Sequence, residues 1–254
     1  MKNAYDKVRT ARLASRPTSL DFISSMFTSF TELHGDRRYG DDKAIVGGIA
    51  FLKDIPVTVI GIEKGKNTRE RILRSFGSPE PEGYRKALRL MRQAEKFHRP
   101  VVTFVDTSGA YCGIGAEKRG QGEAIAENLM EMSALNVPVV TILIGEGGSG
   151  GVLALAVCDR LWMLENSIYS VISPEGCASI LYRDAKRADE AAAALRLTAE
   201  DALEFHFADR IISEEKLGSR EFFAALSDEL YEEIKQLSEI GNIRERRYER
   251  FRSF

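Results

Sequence analysis

PVVTILIGEGGSGGVLALAVC, residues 138–158, decides how this chain is read. An apolar run of strand type breaks into EGGSGG, four glycines in five residues, and then gives way to a second apolar run, VLALAVC, of helical character. Glycine admits positive φ and lets a ligand approach the main chain closely, while the start of a helix presents free N–H groups and about half a positive charge. The turn is therefore suited to holding an anion. Working outward, PVVTFVDT (100–107) repeats the theme: a strand runs into the loop SGAYCGIGAEKRGQG, followed by a helix through Ile125, Leu129, Met132 and Leu135. Neither strand alternates cleanly between apolar and polar residues, the pattern of strands covered on both faces of a parallel α/β sheet.

The remaining elements extend this sheet. AIVGGIAF (44–51) and PVTVIGI (56–62) read as a hairpin turning at Lys53 and Asp54, and RLWML (160–164) and IYSVI (168–172) as two further strands. Leu20, Ile23, Phe27, Phe30 and Leu33 recur at helical spacing and predict one helix. Helices are also predicted over 83–98, from Pro174 through SPEGCASILY, over 186–205 and over 221–239. The stripe Arg85, Lys86, Arg89, Arg92 on the 83–98 helix reads as a solvated face. No low-complexity linker or repeat period divides the chain, so residues 1–254 are expected to form a single domain, with about 18 N-terminal and about 15 C-terminal residues as arms. The closing RERRYERFRSF, five arginines with Tyr248, Phe251 and Phe254 interleaved, has the composition of a subunit contact.

Composition narrows the function. A net charge of −2 provides no general attraction to nucleic acid or membrane, and neither a spanning apolar run nor a signal-type N-terminus is visible, so a cytoplasmic protein is expected. Cys112, Cys158 and Cys177 lack C-x-x-C spacing and read as reduced thiols. His34, His98 and His206 have no second ligand at helical spacing, so no metal site is expected. Gly113-Ile114-Gly115 lacks the third glycine of a dinucleotide fingerprint, and Gly61, Gly65 and Lys66 are misspaced for a P-loop. One rival remains: Gly147 to Gly151 satisfies G-x-S-x-G between strand and helix, with Asp184, Asp189 or Asp201 and then His206 downstream, which is the chain order of a serine hydrolase using Ser149.

The blocks ELHGDRRYGDDKAIVGGIA, PEGYRKALRLMRQAEKF, GAYCGIGAEKRGQGEAIAENLMEMS, IGEGGSGGVLAL and YSVISPEGCASIL resemble the alpha subunit of the carboxyltransferase component of bacterial acetyl-CoA carboxylase, and the resemblance runs to the closing RRYERF. It implies a crotonase-type α/β fold, a spiral of β-β-α units with peripheral helices. It implies transfer of a carboxyl group from carboxybiotin on a separate carrier protein to acetyl-CoA, giving malonyl-CoA for fatty acid synthesis. The implied partners are a zinc-ribbon beta chain, the biotin carboxyl carrier protein and biotin carboxylase, with two alpha and two beta chains. Carried over by motif, the backbone hole for the biotin ureido oxygen falls on Gly150 and Gly151, with Gly147, Gly148 and Ser149 beside it. Gly109, Ala110, Gly113 and Gly115 are expected to line the same cavity. Apart from the resemblance, Lys64 and Lys66 in EKGKNTRER have the charge and the Gly65 turn to meet coenzyme A phosphates, with a solvated loop as the equal alternative. Many members carry proline where this chain has Ser108 and Cys112, which leaves that loop freer here. The resemblance also implies that the chain alone is inactive, because it supplies half of a shared site.

Overall fold

A computed structural model describes residues 3–254. Its centre is an eight-stranded sheet: β1 (Thr28–Glu32), β2 (Ile45–Leu52), β3 (Ile55–Ile62), β4 (Val101–Thr107), β5 (Val139–Gly148), β6 (Arg160–Leu164), β7 (Ile168–Ser170) and β8 (Arg210–Ile212). The order is β1-β2-β3-β4-β5-β6-β8, with β7 off the path on β5. The first two pairings are antiparallel, and every pairing from β3 onward is parallel. The hairpin turns at Lys53 and Asp54 as the sequence predicts, with Lys53 at φ +54°.

Helices cover both faces. They are α1 (Ala4–Ala11), α2 (Ser19–Met26), α3 (Thr68–Leu73), α4 (Pro81–Lys96), α5 (Ile114–Lys118), α6 (Gln121–Ala134), α7 (Ser149–Leu153), α8 (Pro174–Tyr182), α9 (Ala188–Leu195), α10 (Ala199–Glu204), α11 (Arg220–Ser238) and α12 (Ile243–Arg252). Alternate residues of one strand feed opposite cores: Val102 and Phe104 join Phe22, Phe223 and Leu230 under α2 and α11, while Val101 and Val105 join Leu90, Met91 and Met132 under α4 and α6. Double-sided burial is why β4 and β5 read as unbroken apolar runs. Among the described residues, no helix is long and apolar enough to cross a membrane.

Four expectations change. The helix predicted through Leu33 stops at Met26, and Phe27 is already extended (φ −122°, ψ 155°). Thr28 and Thr31 favour a strand, and the open edge of β2 takes them as β1. The helix predicted over 186–205 breaks where Arg196 turns left-handed, and Thr198 with Asp201 opens α10 as a capping box. Of the basic stripe on α4 only Arg92 stays exposed. Arg85 pairs with Asp36 at 2.8 Å, the fully buried Lys86 with Asp41 at 2.6 Å, and Arg89 donates to the Gly35 carbonyl at 3.0 Å, so the stripe binds the acidic segment GDRRYGDD to its own helix. Finally, the expected arms are docked. Val8 and Ala11 of α1 pack with Ile168, Ala192 and Leu197, and Arg247 of α12 is fully buried on Asp159 at 2.5 Å.

Candidate functional site

The glycine turn is built by the sheet itself. β7 pairs Ile168, Tyr169 and Ser170 with Glu146, Gly147 and Gly148, which carries β5 straight through the first glycines. Ser149 then takes φ +52°, and the chain enters α7. The long apolar helix expected here is only five residues, because the chain leaves it after Leu153 and buries Ala154, Leu155 and Ala156 in the core. So short a helix sums few peptide dipoles, and the electrostatics of the turn rest on individual N–H groups. Its cap residue is Gly148, which has no side chain to offer, and neither a cap nor a loop carbonyl takes the N–H of Gly150 or Gly151.

The loop after β4 lies directly against this turn. Thr107 Oγ1 accepts from the Gly109 N–H at 3.0 Å, and Gly109 adopts φ +141°, a value open to glycine alone. A Cβ on Gly148 would lie 2.3 Å from the Ser108 carbonyl oxygen, and one on Gly151 would lie 2.8 Å from the Ala110 nitrogen. The two loops therefore stack backbone on backbone, bringing Gly109, Ala110, Gly148, Ser149, Gly150 and Gly151 together. Gln121 pins the outer part of the loop by donating to Pro79 and Tyr111 carbonyls at 2.8 and 2.9 Å. Gly113 and Gly115 serve α5 instead: Gly113 caps it against the Tyr111 ring, and Gly115 is exposed beside Arg119. Gly147 is a buried strand residue packed on Leu143.

Ser149 and Gly150 form one wall of an open cavity of about 370 Å³, lined further by Leu153, Tyr169, Ser170, Val171, Leu195, Arg196, Phe205 and Phe207. Its lining contains neither histidine nor carboxylate, and no hydrogen bond joins Ser149 to a histidine among the described residues. The serine hydrolase constellation is thus not assembled.

The two lysines expected to meet phosphate are already held. Lys64 Nζ lies 2.6 Å from Asp106 and 3.4 Å from Glu146; burial alone would lower its pKa, but the two carboxylates outweigh that and raise it. Lys66 reaches Asp21 at 2.5 Å. Asp106, Glu146 and Arg12, which bonds Glu146 at 2.8 Å, are site residues that the sequence reading passed over. Glu146 stands inside the quoted turn motif, an acid at a strand end beside glycines, and that signal was available. No disulfide forms: Cys112 is exposed, Cys158 and Cys177 are buried, and burial pushes the Cys158 thiol to about 11. No cluster able to hold a metal ion is found among the described residues.

Comparison with known proteins places this geometry. A family model described as acetyl co-enzyme A carboxylase carboxyltransferase-like matches residues 2–254. The acetyl-coenzyme A carboxylase carboxyl transferase subunit alpha of Streptococcus pneumoniae (strain Hungary19A-6) is 58% identical over 97% of this chain and 98% of its own; that of strain G54, serotype 19F, is equally similar. Among solved structures, a Pseudomonas malonate decarboxylase hetero-tetramer in complex with coenzyme A superposes with a TM-score of 0.73 over 93% of this chain and 96% of that chain, at 17% identity. Transcarboxylase 12S, with methylmalonyl-coenzyme A and methylmalonic acid bound, gives 0.71 over 91% of this chain and 45% of that chain, at 18% identity. At such identities the likeness speaks for the fold, the crotonase-type α/β architecture expected from the sequence. The chain belongs to the family of acetyl-CoA carboxylase carboxyltransferase alpha subunits.

Proposed function

We propose that the main-chain N–H groups of Gly150 and Gly151 form the oxyanion hole of this carboxyltransferase, serving the biotin side of a reaction that carries a carboxyl group from the biotinylated carrier to acetyl-CoA and yields malonyl-CoA. Biotin, when bound, supplies the transferable carboxyl group and, on losing it, a negative charge drawn onto its ureido oxygen. The observation that carries this reading is the pair of uncapped amides, Gly150 on the wall of a largely apolar cavity that has no carboxylate to repel that charge and Gly151 next to it, buried. The site fits the group: donors are present, a Cβ on Gly150 would point towards Ile125 at 3.6 Å, and Leu153, Tyr169, Phe205 and Phe207 give a ring apolar walls beside the Arg196 cation.

Fixed amides aimed at a developing charge need no reorganisation during the reaction, and a donor of this kind is worth about 2.7–4 kcal/mol. Stacking of the Gly109 loop on Gly148 and Gly151 holds them in place. No side-chain base is required, which accounts for a cavity without histidine. The acyl-CoA half falls to a zinc-ribbon beta chain, with two alpha and two beta chains assembled and biotin carboxylase recharging the carrier in the cytoplasm. The hetero-tetrameric malonate decarboxylase of the same fold supports that arrangement. The carboxylate pairing of Lys64 and Lys66 argues against their role as phosphate ligands.

Amide-to-ester replacement at position 150 or 151 removes the N–H while adding no bulk. In the complex reconstituted with the beta chain, either ester is expected to lower kcat about 10²–10³-fold. Full turnover in both would end the reading, as would malonyl-CoA formation by the isolated chain.

A further inference from the structure

Carboxyl transfer as described makes no use of a buried group of charges beneath the two glycine loops. Lys64 leaves the end of β3 and carries its ammonium, on a side chain 18% exposed, to Asp106 Oδ1 at 2.6 Å and Glu146 Oε2 at 3.4 Å. Asp106 stands two residues before Ser108 on β4, and Glu146 two residues before Gly148 on β5. The carboxylates are thus the roots of the two loops that stack to form the cradle. Asp106 Oδ1 also accepts from the Glu146 N–H at 2.8 Å, tying one root to the other. Fit is tight on both sides: a Cβ on Gly145 would lie 2.2 Å from Asp106 Oδ1, and one on Gly77 would lie 2.5 Å from Lys64 Cγ.

The charges around the group come from several elements. Glu146 has a second cation, Arg12 beyond α1, whose guanidinium also holds Glu175 of α8 at 2.7 Å, where Tyr5 donates at 3.1 Å. Arg71 of α3 faces the same small cavity as Arg12, Lys64, Phe76 and Ser108. Asp106 differs from Glu146 in one respect that decides the argument: Lys64 is the only cation paired with it among the described residues.

We propose that Lys64 is a positioning residue for carboxyl transfer, clamping Asp106 to Glu146 and so fixing the spacing between the Gly109 loop and the Gly150–Gly151 amides. This rests on the reading of those amides as the oxyanion hole. Removing the ammonium leaves the Asp106 carboxylate with no cation beside Glu146, which keeps only Arg12, and the two like charges push the loop roots apart. Lys64 touches no reacting atom, so its effect falls on kcat rather than on acetyl-CoA binding.

The test uses the complex reconstituted with the beta chain and measures kcat and KM for acetyl-CoA from about pH 6 to 9. Lys64→Met is expected to lower kcat about 10- to 100-fold, the cost of a misplacement near 1 Å, with KM within about twofold. Adding Asp106→Asn, which keeps an acceptor for the Glu146 N–H but removes the unpaired charge, is expected to recover part of kcat. Wild-type kcat in Lys64→Met overturns the proposal, and so does a loss of kcat that Asp106→Asn does not relieve. Should Lys64→Met fail to assemble with the beta chain, Asp106→Asn alone carries the test, reduced kcat supporting the clamp and full kcat overturning it. The Gly150 and Gly151 esters run alongside: loss of turnover in either beside fully active Lys64 variants overturns the clamp alone, whereas full turnover in both overturns the hole itself.

Discussion

Gly148→Ala puts the smallest possible wedge between the two loops. The added Cβ would sit 2.3 Å from the Ser108 oxygen, 2.4 Å from the Ser108 carbonyl carbon and 3.0 Å from the Gly109 nitrogen. All three are backbone atoms, so no rotamer change can relieve the contact. Restoring an ordinary separation requires the loops to part by about 1 Å, and overpacking of this kind costs about 1–3 kcal/mol. In a domain of this size that corresponds to a fall in Tm of roughly 2–12 °C. The catalytic effect should exceed the thermal one, since a 1 Å misplacement of a catalytic group costs about 10²-fold in rate. The assay is carboxyl transfer in the complex with the beta chain, kcat and KM measured separately, beside thermal unfolding. Gly122→Ala is the control: on the exposed first turn of α6 its Cβ would meet nothing within 4 Å, and replacing a helical glycine gains up to about 1 kcal/mol. Wild-type kcat and Tm in Gly148→Ala would refute the stacked-loop geometry.

Arg247→Met strips the cation from a buried pair that also holds the carbonyls of Met132, Leu135 and Val137, leaving Asp159 uncompensated. A loss of about 3–5 kcal/mol in unfolding free energy is expected, with early proteolysis at α12, and Asp159→Asn added to it should restore part of the stability. Thiol titration should count one fast group, Cys112, in the native protein and three after unfolding, because burial holds Cys158 near 11 and covers Cys177. Burial works to raise the Asp36 carboxyl, but the N–H groups of Arg38, Tyr39 and Gly40 and the Arg85 guanidinium prevail and hold it at about 2, below its ordinary 3.8. Its contribution to stability is therefore complete above about pH 4 and lost as pH falls towards 2. Asp36→Asn should flatten that acid limb in pH-dependent unfolding.

What could be read from the chain followed from local pattern. β4 and β5 announce themselves as doubly buried parallel strands, and the glycines mark where their ends turn into the two stacked loops. The motif carrying Gly150 and Gly151 is visible without a fold. Phe30 and Leu33 continued a helical period by coincidence, since five apolar positions over fourteen residues do not separate a helix from a helix joined to an edge strand. The role of charges was least legible, because partners lie far apart in sequence: Arg12 meets Glu146 across 134 positions and Arg247 meets Asp159 across 88. Lys64 looked like a phosphate ligand for that reason; its carboxylates arrive on two later strands.

The most direct test is the structure of the reconstituted complex trapped with biotin. The account predicts the ureido oxygen within about 2.7–3.1 Å of the Gly150 and Gly151 nitrogens, with the ring in the cavity walled by Tyr169 and Phe207. A ureido oxygen bound to a side chain, or to amides of the beta chain, would contradict it.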